Sequence, residues 1–374
     1  MISMVRRILI APTVLLLAFT LSGCSFVTDL FTGAGKVIGL TDGGTVITRR
    51  AQIRSSYAVV AADLLEVKRG DRLVILDELD FEKVRWLRVR AYDEDQTEGW
   101  IEAQNVITDD ILSKSEELAT EDEGRVSQAV GQLRARSNLR LAPQLEDSNI
   151  LFKLDGDSVF EILSWKYVPR QKDASDIDDG SARSRSASSS EEAGLTSAGN
   201  KLEEKYDIWY KVRLDPKYSP APAGWLFGRQ VGLLIPNDII FYQQDNRRFV
   251  AWQRLDGQVI KDNSKVTAPG SYVILTHSGV SKSIGGDEPD FDGITVLAYD
   301  KFDQVHYTVY RSSINIWGKL PLVLEGTGDS RTFTVSLRNF STDRMESRRF
   351  VIYRDGERLR VTAPDDMKTF ERKF

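Results

Sequence analysis

Cysteine and histidine are almost missing from this sequence of 374 residues, which contains one Cys and two His. A single Cys cannot form an intrachain disulfide, so hydrophobic packing has to hold the fold together. Cys24 lies at the end of an apolar leader, which excludes a hydrolase with a Cys nucleophile and a His base. His277 and His306 follow no metal-ligand spacing and lie near no Gly-x-Ser-x-Gly elbow, which argues against zinc and serine hydrolases. Acidic residues are plentiful, so a glycosidase with paired carboxylates stays open.

Long hydrophobic runs and a surplus of positive charge are also lacking. A mostly apolar run at residues 8–21 covers 14 residues and includes Pro12, whereas a membrane-spanning helix needs about 20. The run follows Arg6 and Arg7, and this order is typical of a signal peptide. Removing residues 1–23 takes away those two Arg and leaves 48 basic and 55 acidic residues. Nucleic acid is therefore not an expected partner.

The apolar run ends in Leu21-Ser22-Gly23-Cys24, which resembles the lipobox of bacterial lipoproteins. The resemblance implies that residues 1–23 are cleaved and that Cys24 carries a diacylglyceryl group, whose acyl chains anchor the protein to a membrane. Ser25 rather than Asp follows the Cys, and by resemblance to known sorting this favours an outer membrane, facing the periplasm. In a Gram-positive cell the site would be the outer leaflet of the cell membrane. The alternative is an ordinary secretory leader whose Cys is cut away.

The sequence contains an internal repeat. Gln52-Ile53-Arg54 aligns with Asn138-Leu139-Arg140 at an offset of 86 residues, and Gly70-Asp71 aligns with Gly156-Asp157 at the same offset. Further along, "WLRVR" (86–90) matches "WYKVR" (209–213), and "GWI" (99–101) matches "GWL" (224–226). The order of the motifs is kept, but the second copy has 37 additional residues between its Gly-Asp pair and its Trp.

Composition divides the rest of the chain. The additional residues, 169–205, are rich in Ser, Ala, Gly and charge, and we predict a disordered insertion because such a segment buries too little apolar surface. Residues 109–131 begin with a run of acidic residues and are interpreted as a solvated linker that is partly helical. Residues 24–45 form a tether in this interpretation.

Short runs of β-branched and apolar residues, separated by turn signals, predict an all-β fold. "LLEVKRGDRLVIL" and "NILFKLDGDSVFEIL" both indicate a strand, a Gly-Asp turn and a second strand, so each copy is predicted to be a small antiparallel barrel. The motif order Asn-Leu-Arg, Gly-Asp, Trp-Tyr-Lys-Val and Gly-Trp-Leu resembles the bacterial SH3-like family, SH3b, over residues 46–108 and 132–235. The resemblance implies peptidoglycan binding or a targeting and assembly role, and implies no catalysis.

No resemblance to a known family is found for residues 236–374, but they show the same pattern of short strand-like runs separated by turn signals. Turn signals at Asp256-Gly257, at 300–303 and at Asp355-Gly356 each separate two alternating runs. Together with three further runs they predict about nine short strands. We therefore expect a β-sandwich or closed barrel of unknown type.

Alternation of side chains in a strand predicts a binding surface. In "WLRVR" and "WYKVR" the central apolar pair would face the core, which leaves one Trp and two cations on the opposite side of each copy. Such surfaces suit sugar faces and carboxylates. The candidate ligand-binding residues are Trp86, Arg88, Arg90, Trp209, Lys211 and Arg213. The alternative is that each Trp covers a barrel end or a neighbouring domain.

The acidic turn "GGDEPDFDG" is a weak candidate for a cation site, with Glu288, Asp290 and Asp292 at alternating positions. A calcium loop of this kind should end in a bidentate Glu, but Tyr299 stands there. A solvated acidic turn is the alternative.

Together these observations predict a lipid-anchored envelope protein that acts by binding, without a cofactor or catalysis. Its expected partners are the membrane, through Cys24, and peptidoglycan or envelope proteins. A protein-assembly factor, and a wall hydrolase with active carboxylates in residues 236–374, remain alternatives.

Overall fold

The computed structural model describes residues 42–170, 205–243, 247–256, 260–261, 264–265, 269–327 and 330–372. These residues form antiparallel sheets and one α-helix, α1 (Asp109–Glu121), which confirms the predicted all-β fold. The predicted signal peptide, Cys24 and residues 171–204 of the predicted insertion lie outside the described residues. No helix among the described residues is long and apolar enough to cross a membrane.

The first module, residues 42–108, is a seven-stranded sheet in the order β3-β2-β6-β5-β4-β1-β7. All seven strands contribute apolar side chains to one core, so the sheet curls around it. The strands are β1 (Asp42–Val46), β2 (Arg50–Arg54), β3 (Asp63–Lys68), β4 (Arg72–Phe81), β5 (Val84–Ala91), β6 (Glu98–Glu102) and β7 (Val106–Thr108).

The second module, residues 129–233, repeats this arrangement strand for strand. Its order, β10-β9-β13-β12-β11-β8-β14, becomes that of the first module when seven is subtracted from each number. The sequence repeat therefore corresponds to a repeat of topology, with "WLRVR" in β5 and "WYKVR" in β12. The strands are β8 (Ala129–Leu133), β9 (Ser137–Arg140), β10 (Ile150–Leu154), β11 (Val159–Pro169), β12 (Tyr206–Leu214), β13 (Ala223–Phe227) and β14 (Val231–Leu233).

The predicted insertion starts further along the chain than its composition suggests. Strand β11 continues to Pro169, which pairs with Tyr206 of β12, and the N–H of Arg170 donates to the carbonyl of Lys205. Residues 169, 170 and 205 thus belong to an ordered hairpin.

Residues 109–131 are partly helical as predicted, but they are docked on the second module, and the prediction of a solvated linker is wrong. Residues 109–121 form α1, and residues 129–131 already belong to β8. Leu112 is buried in the core of the second module, to which Ile107 of β7 also belongs. The buried hydroxyl of Ser115 donates to the carbonyl of Ala223. The acidic residues of α1 cover its exposed face, whereas its spaced small and apolar residues dock it against the second module.

The two modules also contact each other directly. Arg69 donates to the carbonyl of Lys217 at 2.7 Å and forms an ion pair with Asp155 at 3.1 Å. Arg69 and Asp155 lie 86 residues apart, at equivalent positions of the repeat. Both precede the Gly-Asp turn, so this end of the first module faces the second module.

The C-terminal residues form two four-stranded sheets, in the orders β15-β18-β19-β20 and β21-β22-β23-β24, and a separate pair of short strands, β16-β17. Apolar side chains of both sheets share one core, which makes this part a β-sandwich. The strands are β15 (Arg248–Arg254), β16 (Ile260–Lys261), β17 (Ser264–Lys265), β18 (Tyr272–His277), β19 (Gly293–Asp300), β20 (Val305–Arg311), β21 (Gly318–Thr327), β22 (Ser330–Asn339), β23 (Arg344–Asp355) and β24 (Arg358–Thr362).

The first sheet of the sandwich is covered on both faces. Along β18, Val273 and Leu275 face the sandwich core, whereas Tyr272 and Ile274 join the core of the second module. Every residue of β18 is buried as a result. The second module and the sandwich therefore form one packed body with this sheet between their cores.

Candidate functional site

The two tryptophans of the predicted binding surface are buried. Trp86 is 6% exposed and Trp209 is 1% exposed, so neither presents a ring to a ligand. The alternation itself is as predicted, because Leu87 and Val89 lie in the core of the first module. On the opposite face both Trp side chains are covered, although Arg88 of the first module is exposed, and Trp209 packs against Phe227 with ring centroids 5.1 Å apart. The expectation of an exposed tryptophan on each module is wrong.

The two cations predicted on the first module are paired with a carboxylate. Glu98 on the neighbouring strand accepts hydrogen bonds from Arg88 at 3.1 Å and from Arg90 at 2.9 Å. The hydrogen bonds from Arg90 hold the pKa of Glu98 below its ordinary value. Because Glu98 neutralises part of this charge, the pair is a weaker anion site than two free arginines would be.

The two cations predicted on the second module attach helix α1. Lys211 is 7% exposed, and its Nζ lies 2.8 Å from Asp122, which follows α1 and is 1% exposed. Arg213 pairs with Glu161 at 3.0 Å and donates to the carbonyls of Asp122 and Arg125. These side chains satisfy the buried end of the helix, so they are not available to a ligand.

Glu288, Asp290 and Asp292 of the acidic turn are largely buried, so the turn is not solvated at these positions. Both carboxylate oxygens of the fully buried Asp292 accept hydrogen bonds from Ser278, one from its N–H and one from its hydroxyl. Asp290 accepts from the N–H of Leu320 and lies 3.7 Å from Nζ of Lys319. Glu288 is buried as well. Within the described ranges no three Asp, Glu, His or Cys side chains converge as metal ligands.

The first testable prediction concerns Asp290. Burial raises its pKa from 3.8 to about 6, although Lys319 opposes the shift. The folded state then binds this proton more tightly than the unfolded state, so the contribution to stability is full below pH 4 and is lost as the pH rises through 6. The loss is up to about 3 kcal/mol. We expect Asp290→Asn to be more stable than the wild type at pH 8, with the difference vanishing near pH 4 in urea unfolding series.

The control for this prediction is Asp287→Asn. Asp287 contacts the same Lys319 at 2.8 Å, but its side chain is 62% exposed. This control variant should follow the wild-type stability at every pH within a few tenths of a kcal/mol. Equal pH profiles for Asp290→Asn and the wild type would show that Asp290 titrates as an ordinary carboxyl.

An aromatic cavity lies between the second module and the sandwich. Its wall is the outer half of the β11–β12 hairpin, where Trp165 pairs with Tyr210, Tyr167 with Ile208, and Pro169 with Tyr206. Directly paired and alternate residues share a face of a hairpin, so these side chains point the same way. Trp165, Tyr167, Tyr206 and Tyr210 line a space of about 460 Å³. Cavities of about 300–1,000 Å³ are typical of small-molecule sites.

The opposite wall of the aromatic cavity comes from the sandwich, and it brings polar groups. Arg248 and Phe249 at the start of β15, and His277 at the end of β18, line it. His277 is 7% exposed, and its Nε2 has no hydrogen-bond partner among the described residues. Burial lowers the pKa of His277; Asp292 opposes the shift and Arg248 adds to it. A neutral ring with a free nitrogen therefore faces a buried site, where it can hydrogen-bond a ligand.

The hydroxyl of Tyr167 is a second polar group of the aromatic cavity. Removal from water raises its pKa well above the ordinary value, and Asp290 and Tyr210 add to the shift. The nearby indole N–H of Trp165 opposes this rise in the pKa of Tyr167. Nε1 of Trp165 nevertheless makes no hydrogen bond of normal geometry with a described residue. Tyr167 thus stays protonated and can donate a hydrogen bond to a ligand.

Among the described residues that line the aromatic cavity, arginines outnumber carboxylates. Arg134, Arg229 and Arg248 line it together with Asp207, which is paired with Arg229 at 2.9 Å, and Arg248 has an interaction partner as well. Aromatic walls with an excess of guanidinium groups favour a ligand that has a flat or apolar face and an anionic group.

The second histidine, His306, has a structural place. Nε2 of His306 lies 2.8 Å from the carbonyl oxygen of Gly270 and 3.9 Å from Asp238. The hydroxyl of Tyr242 donates to the backbone carbonyl of His306. His306 ties strand β20 to the loop before β18.

Sequence reasoning did not find the aromatic cavity, although one signal was present. Trp165, Tyr167, Tyr206 and Tyr210 flank the additional residues of the second copy. In the first copy the strand register puts Glu78 and Asp80 at the positions of Trp165 and Tyr167. Several aromatic residues on both sides of a long insertion indicate that the hairpin at its base forms one wall of a binding site. The facing residues Arg248 and His277 come from another part of the chain, and their position could not be inferred.

No family model matches the chain, and no curated protein matches its sequence significantly.

Proposed function

We propose that this chain is a binding protein of the bacterial cell envelope, held to the membrane by lipid on Cys24, and that the aromatic cavity is its ligand site. The proposal of a membrane anchor rests on the resemblance of residues 21–24 to a lipobox. Because Trp86 and Trp209 are buried, the outer strand faces of the two modules are not the proposed ligand site, and the aromatic cavity is proposed instead.

The observation that carries the proposed site is the composition of the cavity walls. Five aromatic rings, the unpartnered Nε2 of His277 and, among the described residues, more arginines than carboxylates surround about 460 Å³. Stacked rings suit the flat faces of sugars, while guanidinium groups suit carboxylates. Peptidoglycan fragments contain both, since their sugars are joined through a lactyl group to stem peptides that carry free carboxylates. A peptidoglycan sugar or the end of a stem peptide is therefore the ligand we propose.

The experiment is titration of soluble peptidoglycan fragments into the mature chain with Cys24→Ser, followed by calorimetry and tryptophan fluorescence. Tyr206→Ala should weaken binding at least tenfold, equal to about 1.4 kcal/mol, because one wall of the cavity is lost. Raising the salt concentration should weaken binding further, since the guanidinium groups act in part through charge.

Tyr92→Ala is the matched control, because Tyr92 is an exposed tyrosine of the first module, away from the cavity. It should bind as the wild type does. Absence of binding by the folded wild-type chain at low salt would refute a peptidoglycan ligand. Equal loss in both tyrosine variants would refute the cavity as the site.

A further inference from the structure

The end of the first module that points away from the second carries an exposed apolar surface. Its centre is the loop of residues 55–62, "SSYAVVAA", which contains no charged residue. Val59 is 83% exposed and Val60 is 94% exposed. Tyr57 fixes the loop to the β4–β5 hairpin, since its ring lies 4.9 Å from that of Phe81. We call residues 55–62 together with this hairpin end the apolar tip.

Part of the backbone of this loop is hydrogen-bonded within the module. Arg54 donates to the carbonyls of Val59 and Ala61, at 2.9 and 3.2 Å. The N–H of Ser55 donates to the carbonyl of Ala62, and the N–H of Ala61 to that of Ala58. Unpaired backbone groups are costly in an apolar medium. The four paired carbonyls lower that cost, and the side chains of Val59 and Val60 are exposed.

The strand register places the membrane tether at the same end. In the β1–β4 pair, Thr45 is opposite Arg72 and Asp42 is opposite Ile75. Strand β1 is therefore entered from the side on which β4 runs on to Phe81 and the apolar tip. The opposite end of the module, at Arg69, contacts the second module. The chain thus enters the first module from its apolar end.

The length of the tether limits the distance between this end and the lipid. Seventeen residues separate Cys24 from Asp42, and they span at most about 60 Å. The apolar tip is consequently held within reach of the bilayer, at a high effective concentration.

We propose that the apolar tip inserts Val59 and Val60 into the surface of the bilayer that holds the acyl chains of Cys24, which gives the first module a fixed orientation on the membrane. The inference rests on the lipid anchor of the proposed function. The loop lacks charge, whereas the hairpin end carries Asp80, Glu82, Lys83 and Arg85. Insertion is therefore confined to the loop and requires no anionic lipid.

The test uses the lipidated protein in phosphatidylcholine vesicles with a fluorescent label at position 60. Because Cys24 would be acylated, Val60→Cys provides a unique thiol. We expect a quencher on the lipid acyl chains to quench this label by about half or more, while flotation with the vesicles verifies attachment. Phe302→Cys is the control, since Phe302 is 80% exposed in the sandwich, and its label should stay unquenched. Adding Val59→Asp to Val60→Cys should abolish quenching without changing flotation.

The outcomes separate this inference from the lipid anchor. Flotation with an unquenched label at position 60 overturns membrane insertion alone. Failure of flotation contradicts the lipid anchor and overturns the insertion with it. A label that is shielded from water but insensitive to the lipid quencher, in a manner that depends on protein concentration, assigns the tip to a second copy of the chain and also overturns the proposal.

Discussion

Replacing Lys211 with alanine is expected to lower the free energy of unfolding by about 3 kcal/mol, because the variant leaves the carboxylate of Asp122 buried without its closest cation. Asp122 is 1% exposed, and Nζ of Lys211 lies 2.8 Å from it. Removing one member of a buried ion pair costs about 3–5 kcal/mol. The expected loss lies at the low end of this range, since Nε of Arg125 remains 3.1 Å from Asp122. Urea unfolding at neutral pH measures the change.

The matched control for Lys211→Ala is Arg88→Ala, since Arg88 occupies the equivalent position of the first module. Its side chain is 49% exposed and contacts Glu98, so the control should lose at most about 1 kcal/mol. A Lys211→Ala variant as stable as Arg88→Ala would mean that Lys211 does not attach helix α1. The contrast also tests the earlier idea of a ligand-binding cation, because such a cation could be removed without loss of stability.

The repeat and many turns could be predicted because they depend on local signals. The Gly-Asp pairs lie in equivalent turns, between β3 and β4 and between β10 and β11, and the two Trp motifs lie on equivalent strands of the two sheets. The turn at Asp355-Gly356 joins β23 to β24, and Gly356 has φ 62°, which its lack of a side chain permits. At Asp256-Gly257, where Gly257 lies outside the described residues, the local signal does not give the strand pairing, since β15 pairs with the later strand β18. Strand pairing over a distance leaves no local signal.

The sequence could not show which outward strand faces are covered by another part of the protein, and the reason is physical. Alternation separates the two faces of a strand, but it does not say whether a face meets water or another part of the protein. Trp86, Arg88 and Arg90 have nearly the same local sequence as Trp209, Lys211 and Arg213. Arg88 is nevertheless exposed, whereas Lys211 is buried under the end of α1. Helix α1 makes the difference, and its docking depends on Ser115 and Leu112, which resemble residues of any amphipathic helix.

The aromatic cavity shows the same limit at the level of the site. Its hairpin wall is local, and the aromatic residues in β11 and β12 can be recognised in the sequence. The facing wall depends on the sheet that holds β15 and β18 lying between two cores. The buried run "YVILTH" of β18 is consistent with burial on both faces, but it does not name the partner of either face. His277 becomes a site residue only through this packing.

Replacing Cys24 with serine is expected to abolish lipid attachment altogether, because the sequence has no other thiol that could take a thioether-linked lipid. Two or three acyl chains give durable membrane binding, at about 0.8 kcal/mol for each buried CH₂, whereas insertion of two Val side chains cannot replace them. Labelling with an alkyne palmitate analogue should therefore give a signal for the wild type and none for Cys24→Ser. Processing at Gly23 should stop as well, which leaves a precursor that is larger by the signal peptide.

Fractionation of the Cys24→Ser variant needs a control for that retained signal peptide, since an uncleaved leader can itself hold a chain at the membrane. A second variant therefore combines Cys24→Ser with an ordinary secretory leader in place of residues 1–23. This form should be released into the soluble fraction after high-salt and carbonate washes. If it stays with the membrane without a signal peptide and without palmitate, the lipid anchor is refuted. In that case an attachment by the first module alone would have to be far stronger than two exposed Val side chains can supply.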